Sequence, residues 1–140
     1  MQLDKYQAVL DGIGLLSKGD THSKYTPQEV HTYLLLPINY NRIRLYYDKG
    51  KPVGLVTWCW LPPTTSQLFL EDQYELKEED YAKENPDGHE LWGIEFITPY
   101  GHASKVMRLI RKEHKELYGT TTKVNFRRFY DRNRIHTRTF

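Results

Sequence analysis

Leu91-Trp92-Gly93-Ile94-Glu95-Phe96-Ile97-Thr98-Pro99-Tyr100-Gly101-His102 decides the fold. Leu91 to Thr98 is apolar and carries one charge, Glu95, as a buried strand would, and Pro99-Tyr100-Gly101 breaks it. A helix is predicted at once: Ala103, Val106, Met107, Ile110 and Leu117 form its apolar stripe. Lys105, Arg108, Arg111, Lys112 and Lys115 take the other faces, and Gly119 ends it. Lys123 to Tyr130 reads as the next strand, which makes a strand–helix–strand unit of the right-handed crossover kind.

Working back towards the N-terminus, Val53 to Leu61 and Arg42 to Tyr47 are rich in β-branched and aromatic residues, and Asp48-Lys49-Gly50-Lys51 between them is turn chemistry. A β-hairpin is expected. Pro62-Pro63 stops its second strand, Thr64 to Leu70 suits a short helix, and the polar stretch Glu71 to Glu90, with a tight turn at Pro86-Asp87-Gly88, reads as a surface excursion. Before the hairpin, Thr26-Pro27-Gln28-Glu29 is a capping box with proline at the first helical position, so a helix should begin near Pro27. It should end before Pro37, whose ring disfavours helical geometry in Leu36. Leu3, Tyr6, Val9, Leu10, Ile13 and Leu16 recur at helical spacing and predict a first helix buried on that stripe, ending at Ser17-Lys18-Gly19-Asp20. Helices, a hairpin and a strand–helix–strand unit give an α+β class: a central, mostly antiparallel sheet flanked by helices.

The 140 residues, 39% hydrophobic and 27% charged, suit one globular domain over 1–140 with a basic C-terminal segment, 127–140. No apolar run approaches the ~20 residues of a membrane span, and the first residues have neither a basic nor an apolar signal region, so a cytoplasmic location is expected. Cys59 is the single cysteine, which excludes an internal disulfide and multi-cysteine zinc sites. His31, His89, His114 and His136 show no metal-ligand spacing, and no metal is expected. Net charge is +2, but residues 71–90 are acid-rich while Arg127, Arg128, Arg132, Arg134 and Arg138 crowd the end of the chain. Such asymmetry fits an acidic partner, nucleic acid among them, or a solvated tail. A homodimer is left open.

Several pieces, in order, resemble the toxin-activating lysine acyltransferases, which move a fatty acyl group from acyl carrier protein to a protoxin lysine. His22 precedes a helix closing in Leu36-Pro37, 37 − 22 = 15 residues on, as in that family. Tyr40-Asn41-Arg42-Ile43-Arg44-Leu45 and Pro52-Val53-Gly54-Leu55-Val56-Thr57-Trp58 are similar to its hairpin, and the stretch quoted first is similar to its strand–Pro–aromatic–Gly segment. Where the family has an aspartate, this chain has Glu95, one methylene longer. The resemblance spans roughly residues 5 to 115. It implies a GNAT-like fold, His22 as base or acyl-carrying nucleophile, and Glu95 as the group that orients it.

The implied chemistry has a physical need for such a pair. A lysine with a reference pKa of about 10.4 is nearly all ammonium at pH 7, and freeing its lone pair costs about 4.6 kcal/mol. Histidine titrates near neutrality and can take the proton, and a carboxylate beside it stabilises the imidazolium. For the donor, Pro99-Tyr100-Gly101-His102-Ala103-Ser104 holds one glycine, short of the glycine-rich loop that grips a CoA pyrophosphate. That favours an acyl carrier protein over acyl-CoA as donor, met by Lys105, Arg108, Arg111 and Lys115, with Trp58, Trp92 and Tyr100 as candidate lining of an acyl channel. Each residue also has a plainer reading: His22 as a surface side chain, Glu95 as the partner of an arginine such as Arg44, the lysines as a solvated face, the tryptophans as core. Competing functions are a phage-encoded nucleic-acid-directed acyltransferase, and a DNA-binding or assembly protein that keeps the fold.

Overall fold

The architecture below comes from a computed structural model that describes residues 3–119, 123–128 and 131–139, the side chains of 127, 128 and 131–139 excepted. Helix α1 (Lys5–Leu16) starts where the Asp4 carboxylate accepts the Gln7 amide. Its buried face is Ala8, Gly12, Leu15 and Leu16, whereas Tyr6, Leu10 and Ile13, expected in the core, face outward, Tyr6 at 88% exposure. Close approach decides this rotation. A Cβ on Gly12 would stand 2.7 Å from Leu34 Cδ1, so the small-residue face admits Leu34 where a larger one could not.

The capping box forms as read: Thr26 Oγ1 accepts the Glu29 amide and Glu29 Oε1 accepts the Thr26 amide. Helix α2 (Pro27–Val30) then widens into a π turn (His31–Leu35) and continues as α3 (Leu36–Asn39). The expected stop before Pro37 is thus corrected. In the π turn the Leu36 amide reaches back five residues to the His31 carbonyl. The widened turn makes room for the Pro37 ring, which has no N–H to satisfy, and Leu36 keeps helical angles.

Strands β1 (Ile43–Asp48) and β2 (Lys51–Leu61) form the hairpin. Lys49 and Gly50 both have positive φ, 50° and 78°, as a primed two-residue turn requires. Helix α4 (Pro63–Leu70) and the short α5 (Glu78–Ala82) lead to β3 (Glu90–Ile97), then α6 (Ala103–Tyr118), β4 (Lys123–Arg128) and β5 (Asp131–Thr139). The sheet order is β1-β2-β3-β4-β5, antiparallel except for β3 beside β4, which α6 joins in parallel. This is the mixed α+β architecture read from the sequence. Past Tyr130 the sequence pattern assigns the basic segment no secondary structure and leaves it open to reading as a solvated tail. Instead it supplies β5, whose backbone pairs with β4, Val124 opposite Arg138 and Phe126 opposite His136. Ladder hydrogen bonds need backbone groups and not an apolar pattern, so composition concealed this strand.

The faces of the sheet differ. Leu55, Thr57, Cys59 and Leu61 of β2 point to the layer of α1 to α5, while Val56, Trp58 and Trp60 point to α6. On the first face the Glu71–Glu90 stretch is more than an excursion. Leu76 and Tyr81 from it are buried against Leu36, Cys59, Phe69, Trp92 and Ile94. On the second face α6 buries Val106 and His114 and leaves Ala103 and Leu117 exposed, Leu117 at 67%. The expected stripe is therefore half corrected, with His114 standing in line with Val106 and Ile110.

Candidate functional site

One irregularity in β3 builds the site. Thr57 pairs with Glu95 and Trp58 with Gly93, so two β3 residues, Ile94 and Glu95, stand opposite one on β2. Strict alternation from Trp92 would turn Glu95 towards α6. The bulge puts Ile94 and Glu95 both on the helical face, and alternation resumes with Phe96 opposite Val56 and Ile97 opposite Leu55. Thr57, fully buried, holds the bulge: its Oγ1 accepts the Glu95 amide at 3.1 Å.

Glu95 is 3% exposed, and a carboxylate so buried needs partners for both oxygens. His22 Nε2 lies 2.8 Å from Oε2, and the Tyr25 hydroxyl donates to Oε1 at 2.6 Å. The plainer reading that paired Glu95 with Arg44 is corrected, because Arg44 Nε donates to Glu113 Oε2 at 2.8 Å on the other face. Both donors come from one short stretch. His22–Lys24 is a 3₁₀ turn, closed by the Tyr25 amide donating to the His22 carbonyl at 3.2 Å, and residues three apart in such a turn eclipse. The two rings meet edge to face, centroids 5.3 Å apart, and Tyr25 is backed by Tyr33 at 5.7 Å. Burial, then the adjacent Glu95 charge, pushes the Tyr25 hydroxyl far above the usual phenol range, so it stays protonated and donates.

A carboxylate only accepts, so the ring nitrogen that faces it, Nε2, carries a hydrogen and donates it. Nδ1 is turned to Gly19, where a Cβ would stand 2.9 Å away, so a larger residue there would press on that nitrogen. With 21% of its side chain exposed, the imidazole joins a buried carboxylate to solvent. Such an arrangement can pass a proton between an incoming group and the ring while the carboxylate stabilises the charge that results.

The other candidate residues divide between the faces. Trp58 lines an apolar cleft under α6 with Tyr46, Val56, Ile110, Leu117 and Phe126. Trp92 lies on the helical face, 2% exposed, its indole donating to Ser66 Oγ at 2.9 Å. Tyr100 is exposed in the turn before α6. Lys105, Arg108, Arg111 and Lys115 are exposed along α6, and Lys105 Nζ stands 3.8 Å from Asp48 Oδ1. Arg127, Arg128, Arg132 and Arg134 lie in β4 and β5 with side chains outside the described residues. Beyond Gly93, paired with Phe126, β3 has no partner on its β4 side among the described residues, so the strands part beside Glu95. Sequence reading missed Tyr25 and Gly19. Their only signal was proximity to His22, which in a loop says nothing about direction.

Among the described residues no three His, Cys, Asp or Glu side chains gather as metal ligands, and no helix is long and apolar enough to cross a membrane. Comparison with known proteins places residues 2–136 on the model of the RTX toxin acyltransferase family. An uncharacterized protein of Synechocystis is 25% identical over 118 residues, covering 76% of this chain and 78% of that protein. The lysine-acyltransferase RtxC of Vibrio cholerae serotype O1 is 24% identical over 114 residues, covering 80% of this chain and 72% of RtxC.

Proposed function

From the premise that this chain belongs to the RTX toxin acyltransferase family, we propose that it moves an acyl group from an acyl carrier protein to a protein lysine, His22 acting as base and Glu95 orienting it. The observation that supports these roles is the 2.8 Å contact between His22 Nε2 and a carboxylate buried to 3%. The lysine ammonium gives a proton to His22 Nδ1 and its nitrogen attacks the thioester carbonyl. The carbon–nitrogen bond forms and the carbon–sulfur bond breaks; His22 passes the first proton to the departing thiolate, and the new amide nitrogen releases its second proton to solvent. Glu95 holds the imidazolium through Nε2 throughout.

The donor thioester approaches where β3 and β4 part, its arm using the free edge of β3 beyond Gly93. In this reading residues 1–140 act as one GNAT-like domain in the cytoplasm, where acyl carrier protein is met by Lys105, Arg108, Arg111 and Lys115. The single glycine before α6, Gly101, suits a carrier-borne arm better than a CoA pyrophosphate. Mass spectrometry of lysine-bearing proteins incubated with acyl-loaded carrier protein tests the reading. Wild type adds the acyl mass to lysine, and His22→Ala lowers the rate by about 10²- to 10⁴-fold. Undiminished transfer by His22→Ala removes His22 from the mechanism.

A further inference from the structure

Glu95 uses one oxygen for His22 and the other for Tyr25, yet only the first contact belongs to the chemistry described above. We propose that Tyr25 is a positioning residue for acyl transfer: its hydroxyl fixes the Glu95 carboxylate so that Oε2 faces His22 Nε2 and Nδ1 stays the proton-accepting nitrogen. The inference rests on the acyl-transfer reading and adds to it the group that sets the tautomer.

Three observations converge on this role. Glutamate has three side-chain torsions, and Thr57 Oγ1 anchors only the Glu95 amide, so the carboxylate plane is set by what its oxygens meet. The Tyr25 contact at 2.6 Å is the shorter of the two and comes from a hydroxyl that burial and the carboxylate itself keep protonated. Finally, Tyr25 is rigidly placed. Its backbone closes the 3₁₀ turn on His22, and the next residue, Thr26, is the cap of α2, locked by two hydrogen bonds to Glu29. His22 and Tyr25 therefore move as one unit, and the carboxylate is gripped from both sides by a single turn. Without the hydroxyl the carboxylate is free to rotate, and the imidazole loses the acceptor that keeps its proton on Nε2.

The test is Tyr25→Phe, which keeps the ring packed between His22 and Tyr33 and removes only the hydroxyl. Two readings are taken on the folded protein: the ¹⁵N shifts of the His22 ring, which report the tautomer without turnover, and kinetics with fatty-acyl-loaded carrier protein and N-acetyl-lysine methylamide. The expected result is a wild-type ring held as the Nε2–H tautomer, a Tyr25→Phe ring that mixes tautomers, and kcat lowered about 10- to 100-fold at unchanged KM. Replacing Tyr25 by 3-fluorotyrosine, which keeps the donor and the fold, should preserve both tautomer and rate. A Tyr25→Phe protein with the wild-type ¹⁵N pattern and wild-type kcat overturns the inference. If His22→Ala is inactive while Tyr25→Phe is fully active, Tyr25 alone is dismissed; if His22→Ala keeps transferring, the acyl-transfer roles fall first.

Discussion

The two faces of the sheet are built on opposite principles. On the helical face the site's carboxylate is enclosed and fully engaged: Glu95 is 3% exposed, with both oxygens and its amide hydrogen-bonded. On the α6 face the walls are apolar and the cleft stays open, with Leu117 lining it at 67% exposure. A buried carboxylate without partners would cost several kcal/mol, so the first face has to be closed by hydrogen bonds before it can be packed. The second face buries His114, at 7% exposure, beside an open cleft. The difference teaches that β3 serves both: Gly93 lies on the cleft wall and Glu95, two residues on, belongs to the polar site.

Substitutions on each face break or sharpen that contrast. The largest effect is expected from Glu95→Gln, which keeps shape and removes the charge that stabilises the imidazolium. Transfer should fall about 100-fold while the thermal midpoint moves by only a few degrees. A large loss of stability with little loss of rate would make Glu95 a packing residue and erase the distinction. Gly93→Ala should do the reverse. Its Cβ would stand 2.1 Å from Phe126 Cε1, and the forced shift should cost about 1–3 kcal/mol in a urea titration. The tautomer of His22, on the far side of the sheet, should not change.

The smallest effect is a pH dependence on the α6 face. Burial lowers the pKa of His114, so the folded chain binds its proton less readily than the unfolded chain does. Between the folded and unfolded values the unfolded state carries more protons, so stability rises with pH there. The contribution is fully present above about pH 6.5 and is lost as pH falls below it. His114→Leu should flatten that part of the curve, measured as the urea midpoint of variant against wild type. An unchanged slope would show that His114 is as well solvated folded as unfolded.

Wherever local chemistry sets the backbone, the residues were legible. Thr26 and Glu29 cap α2 from within four residues, Lys49-Gly50 makes the hairpin turn, and Pro99-Tyr100-Gly101 separates β3 from α6. The pairing of His22 with Glu95 was also anticipated, from likeness to a family and not from any rule of spacing. What failed was orientation. Helical periodicity marked Tyr6, Leu10 and Ile13 as core, but the close fit of Leu34 against Gly12 turned α1 the other way. The rule for the residue before proline ended a helix that a π turn carries past Pro37.

The sequence by itself determined which segments are strands or helices over most of the chain, because caps, turns and apolar runs act between near neighbours. Only the tertiary structure decided which way Glu95 points, since the bulge that turns it arises from pairing with a strand 38 residues away in the chain. Tyr25 became visible for the same reason: a hydroxyl in a loop acquires a role only when the fold brings a buried carboxylate to it.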